Sequence, residues 1–296
     1  MAIAARLERD REVPAWLGLA AAAVTLGALV WLERRRPLRR PTQGKVRREL
    51  RNLAVAAVGA ATAGVVAQPV VYPLSRLVAE RRWGLVQLVR LPLWAEVGVS
   101  VLLLDYTSYV WHVLTHRVPF LWRFHLAHHV DLDVDATTGA RFHPGELLLE
   151  IPWRALQVLL IGAAPLSLSA WVVIARLAIL FHHSNVELPE GLERKLSTVV
   201  VTPRVHGIHH SIVEEETRSN WAQIFAWPDF LHRTARFDPP AQDVTTGVPA
   251  YRDPDELTLG KVLDLPIHPP RPAWQLEDGA TPARTPSVEP VDLLIE

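Results

Sequence analysis

Residues 105–129 read DYTSYVWHVLTHRVPFLWRFHLAHH, a stretch that carries five histidines. His112 has a second histidine four residues later, and residues 125–129 read HLAHH. Residues three and four apart share one face of a helix, so each cluster aims its imidazoles at one point. A second HxxHH cluster at 206–210 raises the number to eight, too many for one ion, and neutral imidazole is the commonest metal ligand. The spacing therefore predicts a two-metal site, with the candidate ligands His112, His116, His125, His128, His129, His206, His209 and His210.

Two neighbouring features add candidates to this set. His182 and His183 end a long apolar stretch, and one of this pair could supply a ninth ligand. Asp105 shares a helical face with His112, and an ionisable residue inside an apolar span is functional by default. We predict that Asp105 accepts a hydrogen bond from a ligand imidazole and fixes its tautomer. The alternative is an ion pair between Asp105 and an arginine such as Arg154 or Arg176.

Long apolar runs indicate that the chain is embedded in a membrane. The composition is 49% hydrophobic and the mean hydropathy is +0.13. The uncharged run at 14–32 would extend roughly 28 Å as a helix, close to the thickness of the hydrocarbon core. Further runs cover 53–74, 91–104 and 150–181. The last is broken near Pro165 and is expected to form either a tight hairpin of two spans or a re-entrant pair. The fold class predicted is all-α, a multi-span integral membrane helical bundle of four or five spans with a cytoplasmic helical cap that holds the dimetal site.

The distribution of basic residues sets the expected orientation. Nine lysines and arginines lie within 34–51, between the first two spans, and such a short basic loop stays cytoplasmic. The histidine clusters and the C-terminus then face the cytoplasm. The arginine-rich segment at 75–90 would lie on the opposite side and could form an amphipathic interfacial helix. We expect a multi-pass protein of the bacterial inner membrane.

Three regions are expected along the chain. Residues 1–90 form a membrane anchor with two spans, and residues 91–237 form the catalytic membrane and cap region. Residues 238–296 hold eleven of the 24 prolines and are expected to be a tail that packs only up to about residue 267.

Composition also limits the chemistry. The chain has no cysteine, which excludes disulfides, thiolate ligands and iron–sulfur clusters, so any electrons must come from a separate donor protein. The formal net charge is zero, and nothing indicates a nucleic-acid partner. Nitrogen ligands suit zinc, copper and iron alike. Zinc has no redox chemistry, whereas iron with O₂ could attack an unactivated C–H bond of a lipid.

The ordered motifs resemble the fatty acid hydroxylase/sterol desaturase superfamily over roughly residues 91–236. The resemblance is carried by the segments DYTSYVWHVLTH at 105–116, LWRFHLAHH at 121–129, RFHPGE at 141–146, HSN at 183–185, TPRVHGIHHS at 202–211, ETRSNW at 216–221 and WPDFLHRT at 227–234.

This resemblance implies a membrane enzyme with two non-haem iron ions that uses O₂ and reducing equivalents. It implies that His183 completes the ligand set, and it adds Asn220 to Asp105 as a residue that supports the ligands. The expected activity is O₂-dependent hydroxylation or desaturation of an acyl, alkyl or sterol substrate drawn from the bilayer, and zinc could occupy the site on isolation. The alternatives are a metal-binding or metal-transport protein without redox chemistry and an electron-transfer protein with bis-histidine haem.

Overall fold

The computed structural model describes residues 11–284, so the first ten residues and residues 285–296 of the predicted tail lie outside the described range. Within it the regular elements are helices, accompanied by three isolated β-bridges. Twelve α-helices follow in chain order: α1 (Ala15–Arg35), α2 (Lys45–Thr62), α3 (Gln68–Arg81), α4 (Leu93–Arg117), α5 (Pro119–His129), α6 (Pro144–Ile161), α7 (Pro165–His183), α8 (Glu190–Leu196), α9 (Pro203–His209), α10 (Glu214–Thr217), α11 (Trp227–His232) and α12 (Leu259–Asp264). Short 3₁₀ turns occur at Leu85–Leu88, Thr138–Ala140, Ala241–Asp243 and Pro254–Glu256.

Four of the helical segments are long and apolar enough to cross a membrane: α1, Lys45–Leu88, α4 and α7. Helix α6 runs through the same layer, but it carries Glu146, Glu150 and Arg154. It joins α7 through Gly162, Ala163 and Ala164, so the break predicted near Pro165 is confirmed. The architecture is the predicted all-α membrane bundle.

The second span is longer than its sequence pattern predicted. Helix α2 begins in the basic segment at Lys45 and continues through a π-helical turn at Ala63–Ala67 into α3. The prediction of a separate interfacial helix over 75–90 is therefore wrong up to Arg81. The helix continues because one face is buried: the Ser75 hydroxyl donates to the Ala163 carbonyl at 2.6 Å, and Val78 is fully buried.

The bundle has two ends, and the histidines lie at one of them. At the opposite end the backbone N–H of Val13 donates to the Ser169 hydroxyl at 2.9 Å, where α7 begins. The loop after α3 meets the turn between α6 and α7, where the Gln87 amide donates to the Gly162 carbonyl at 3.0 Å. At the histidine end lie the C-termini of α1, α4 and α7 and the N-termini of α2 and α6.

Between these ends the spans share one apolar core. Val78, Leu104, Val158 and Leu168 are 1% exposed or less and come from α3, α4, α6 and α7 respectively. Because lipid is as apolar as these side chains, their close packing rather than exclusion of water holds the helices together.

The C-terminal segment packs against the histidine end. Val248, Leu257 and Val262 are buried with Val55 of α2 and Leu126 of α5. The contacts continue past residue 267, the expected limit of packing. Trp274 stacks on Trp122 with 5.8 Å between ring centroids, and Arg284 forms an ion pair with Glu216 at 2.7 Å.

A buried ionic network ties the loop after α5 to α2. The Asp131 carboxylate accepts hydrogen bonds from Arg48 at 2.9 Å, Asn52 at 2.7 Å and Thr138 at 2.7 Å, and it lies 3.4 Å from Arg141. Burial would raise the pKa of Asp131, but Arg48 and Arg141 outweigh it and the pKa lies below its usual range. The carboxylate therefore stays ionised, and the loop that joins α5 to α6 is anchored to α2.

Two glycines form the turn contact at the end away from the histidines, and one of them gives a test of the fold. Gly162 has φ +81°, and a Cβ there would lie 2.5 Å from the Trp83 carbonyl oxygen. We expect Gly162→Ala to destabilise the protein by about 1–3 kcal/mol, because an L side chain is strained at this φ and the neighbouring backbone cannot move away. Thermal unfolding in detergent measures the change.

Gly98→Ala is the matched control. Gly98 lies within α4 and has no atom within 4 Å of an added Cβ, so its unfolding midpoint should stay unchanged or rise slightly. Equal midpoints for the two variants would contradict the assigned turn.

Candidate metal centre

Five imidazoles form the first histidine group. His112, His116, His125, His129 and His209 come from α4, α5 and α9, and their ligand nitrogens lie within 4.8 Å of one another. The Nε2 atoms of four of them are buried without a hydrogen-bond partner in the described structure: His116, His125, His129 and His209. Four orphaned lone pairs at one point are costly unless a cation lies between them.

Four imidazoles form the second group around His183. The Nε2 atom of His183 lies 3.0 Å from Nε2 of His128, 3.0 Å from that of His206 and 3.2 Å from that of His210. A tetrahedral ion with metal–nitrogen bonds of 2.0–2.1 Å would separate its ligand nitrogens by roughly 3.3 Å. The donor set and its spacing therefore fit a metal ion.

Protonation supports the same interpretation. The His183 Nδ1 atom lies 2.8 Å from the Ile179 carbonyl oxygen, which can only accept, so Nδ1 carries the proton and Nε2 is left as a lone pair. Burial, and after it the neighbouring imidazoles, lower the pKa of five histidines well below the usual value. These histidines are neutral at pH 7, and the neutral imidazole is the form that binds metals. The five are His128, His129, His206, His209 and His210.

The two groups are direct neighbours. The rings of His129 and His210 stack with centroids 4.3 Å apart, and those of His125 and His128 lie 5.2 Å apart. Two ions held here would share one continuous shell of imidazoles.

A row of backbone carbonyls orients three of the rings. Nδ1 of His209 donates to the Ser219 carbonyl at 2.8 Å, Nδ1 of His112 to the carbonyl of residue 221 at 2.8 Å, and Nδ1 of His182 to that of residue 223 at 2.9 Å. Carbonyls two residues apart along one short segment therefore fix three tautomers, each with the proton on Nδ1.

We call residues 219–223 the carbonyl row. Two carboxylates hold it in place, one through N–H groups within the row and one through the two N–H groups that directly follow it. Asp229 accepts from the N–H groups of Trp221 and Ala222, both at 3.0 Å. Asp105 accepts from those of Ile224 and Phe225, both at 3.2 Å. The prediction that Asp105 bonds a ligand imidazole is wrong, and so is the alternative of an arginine partner. Asp105 acts one step away, on the end of the segment whose carbonyls bond the imidazoles.

The carboxylate that bonds an imidazole is Glu146 of α6. Its Oε1 lies 2.8 Å from Nδ1 of His125, and both side chains are buried. A carboxylate behind a histidine fixes the tautomer and makes the opposite nitrogen a better ligand. Local sequence spacing does not reveal this pair, because Glu146 lies 21 residues from His125.

Asn220 positions the backbone around the carbonyl row. Its side-chain amide donates to the Val205 carbonyl at 2.9 Å, and its Oδ1 accepts from the Arg236 N–H at 2.7 Å. Its own φ is +53°, in the left-handed region that asparagine tolerates better than most residues. It contacts the residue before His206 and no imidazole within the described structure.

All nine predicted histidines lie in the two groups. His182 is a tenth: its ring packs 4.1 Å from that of His206, centroid to centroid, but it belongs to neither group. His143 caps α6 instead, because its Nδ1 accepts from the Gly145 N–H at 3.0 Å. Pro203 begins α9, and Thr202 before it makes no side-chain cap hydrogen bond.

A cavity of about 530 Å³ leads from the spans to these rings. Its walls come from α1, α2, α6 and α7 and include small and apolar side chains such as Ala60, Leu147 and Val172. Histidines from both groups close its inner end. This size lies within the range of small-molecule binding sites. The cavity is lined at that end by His112, His125, His128, His182, His183 and His206.

The sequence of the chain is similar to those of known lipid and sterol hydroxylases. Residues 97–234 match the family model described as fatty acid hydroxylase. The chain is 30% identical to the ornithine lipid hydroxylase of Rhizobium tropici over 142 residues, which cover 47% of this chain and 42% of that protein. It is 26% identical to the cholesterol 25-hydroxylase of Rattus norvegicus over 164 residues, 55% of this chain and 54% of that protein. The matches span about half the length of these relatives. No solved structure matches the chain.

Glu146 offers a test of metal binding. We expect Glu146→Gln to weaken the affinity for a divalent transition metal about 10- to 100-fold, because a neutral amide is a poorer partner for the His125 N–H. Titration of the metal-free protein with Co²⁺, followed by its visible absorption, measures the change. Glu190→Gln, an exposed residue of α8, should leave the affinity unchanged. Equal affinities for the two variants would contradict the role of Glu146.

Proposed function

We propose that the protein is a member of the fatty acid hydroxylase/sterol desaturase superfamily that hydroxylates or desaturates a lipid or sterol of the bilayer with a histidine-bound di-iron centre. The match of residues 97–234 to the fatty acid hydroxylase model and the similarity to lipid and sterol hydroxylases support this proposal. The observation that carries the proposal is the joint placement of the two histidine groups at the inner end of an apolar cavity between the spans. An acyl or sterol chain can leave the bilayer there without crossing water.

The chain's own residues prepare the site for this reaction. His112, His116, His125, His129 and His209 would hold one iron, and His128, His183, His206 and His210 would hold the other. Bound iron would supply O₂ activation and the power to attack an unactivated C–H bond.

Glu146 and the carbonyl row keep the lone pairs aimed at the centre before any ion binds. The site residues are then already in place, which removes the need to reorganise them during the reaction. Trp111, Phe142 and Trp171 line the cavity and keep it apolar next to the rings. They would hold a C–H-rich chain and limit the access of water.

Electrons would come from a separate donor protein, since the chain has no cysteine to carry them. We propose that this donor acts from the cytoplasm of a bacterial cell, on the side where the basic segment before and within the start of α2 lies. That segment is at the histidine end of the bundle, so donor and site would share one side of the inner membrane.

The competing functions have less support. Bis-histidine haem needs two rings on opposite faces of a porphyrin, whereas here four Nε2 atoms converge at 3.0–3.2 Å. Metal transport needs a polar route through the spans, whereas the cavity is walled mainly by apolar side chains.

The reaction can be tested by isotope labelling. Membranes from cells that produce the iron-loaded protein, incubated under ¹⁸O₂ with a reductant, should contain a lipid that carries the label. His128→Ala should lower its yield at least about 100-fold, because the change removes a direct iron ligand. Mass spectrometry of the lipid extract measures the product.

His268→Ala is the matched control, because the His268 side chain is exposed and bonds Asp264, which is not part of the site. Its product yield should equal that of the unchanged protein. An unlabelled lipid extract from protein shown to carry two irons would refute hydroxylation. A new double bond without label would assign desaturation instead.

Orientation can be tested with single cysteines, because the chain has none of its own. Arg194→Cys lies on exposed α8 at the histidine end, and Arg81→Cys lies at the other end of the bundle. A membrane-impermeant maleimide should label the second variant in spheroplasts and the first only after lysis. The reverse pattern would place the site outside the cytoplasm.

A further inference from the structure

The wall of the cavity carries charged side chains at a depth where lipid chains would lie. Glu150 and Arg154 of α6 and Arg176 of α7 line it together with the apolar residues already described. Charged groups inside a spanning region are costly, face cavities or partners, and mark the path of a substrate. The three differ in whether the protein itself neutralises them.

Two of these three charged side chains neutralise each other within the protein. Glu150 and Arg154, one helical turn apart on α6, form an ion pair. The Arg154 guanidinium also lies 4.1 Å from the centre of the Trp171 ring and 3.5 Å from the Ser108 hydroxyl. Deeper in the cavity, Glu146 is engaged with His125. Each of Glu146, Glu150 and Arg154 therefore already has a partner within the protein.

Arg176 is different. Its side chain is exposed to the cavity, and among residues 11–284 it forms neither an ion pair nor a hydrogen bond. It lies seven residues before His183 on the same helix, which is roughly 10 Å along the axis. One guanidinium therefore remains without a bonded carboxylate among the described residues, in a mainly apolar cavity and about two helical turns from the candidate metal ligands.

We propose that Arg176 binds an anionic group of the lipid substrate, a carboxylate or a phosphate. This inference rests on the proposed function and narrows its substrate to an acidic lipid rather than a neutral sterol. Guanidinium is suited to this task because its fork of N–H donors matches both anions. With that group bound at Arg176, the chain extends towards the histidines and the carbon attacked lies several bonds away from it.

Binding can be measured without turnover, because Trp111 and Trp171 line the cavity and report on it. The probes are three single-chain lipids of equal length, brominated at mid-chain to quench tryptophan: an acid, an alkyl phosphate and an alcohol. The full chain in neutral detergent should bind the acid, the phosphate or both about 10- to 100-fold more tightly than the alcohol. The acid and the phosphate separate the two possible anions. Equal affinity for all three probes would overturn the inference.

Variants locate the charge responsible. Arg176→Gln should reduce the preference for the anion to within about threefold, whereas Arg176→Lys should keep most of it. Arg194→Gln makes the same chemical change on the exposed face of α8 and should bind all probes like the unchanged protein. A preference that survives in Arg176→Gln would place the anion elsewhere and refute the proposal.

The outcome is separable from that of the proposed reaction. Anion-dependent binding without any oxygenated lipid would leave the role of Arg176 standing and remove the hydroxylase assignment. Labelled product from a protein that binds acid and alcohol equally would do the opposite.

Discussion

The structure depends on holding the ring nitrogens of several buried imidazoles close to one another. In the second group, four Nε2 atoms lie 3.0–3.2 Å apart around His183, whose own proton is engaged with the Ile179 carbonyl. Such an arrangement is unfavourable by itself, because the single lone pair on Nε2 of His183 can accept a hydrogen bond from only one of its three neighbours. It persists only if surrounding contacts impose it and a cation can relieve it. The remaining features of the histidine end supply those contacts.

Those contacts act at several distances from the rings. Glu146 and the carbonyl row bond the Nδ1 protons directly, and Asp105 and Asp229 hold the segment on which the carbonyls lie. Further from the rings, the Asp131 network fixes the loop between α5 and α6 to α2. The membrane spans therefore serve two purposes: they anchor the protein, and their ends form the frame in which the rings are placed.

Short-range patterns in the sequence predicted much of this arrangement. The i, i+3 and i+4 spacing of histidines depends only on helix geometry, and uncharged runs depend only on bilayer thickness, so both could be read directly. The partners of the rings could not. Glu146 is 21 residues from His125, and the carbonyl of residue 221 is 109 residues from His112. Backbone acceptors also carry no residue identity. The same limit misassigned Asp105, whose position on the helix was right but whose partner depends on tertiary packing.

The carbonyl row has a consequence for mutational robustness. Its acceptors are main-chain oxygens, which every amino acid possesses, so side-chain replacements at 219, 221 and 223 leave the hydrogen-bonding atoms in place. The tautomers of His112, His182 and His209 therefore do not depend on which amino acids occupy these positions. Substitutions along this segment can change the surroundings of a substrate without changing those tautomers. A scaffold with this property can diversify its specificity without rebuilding its reactive centre.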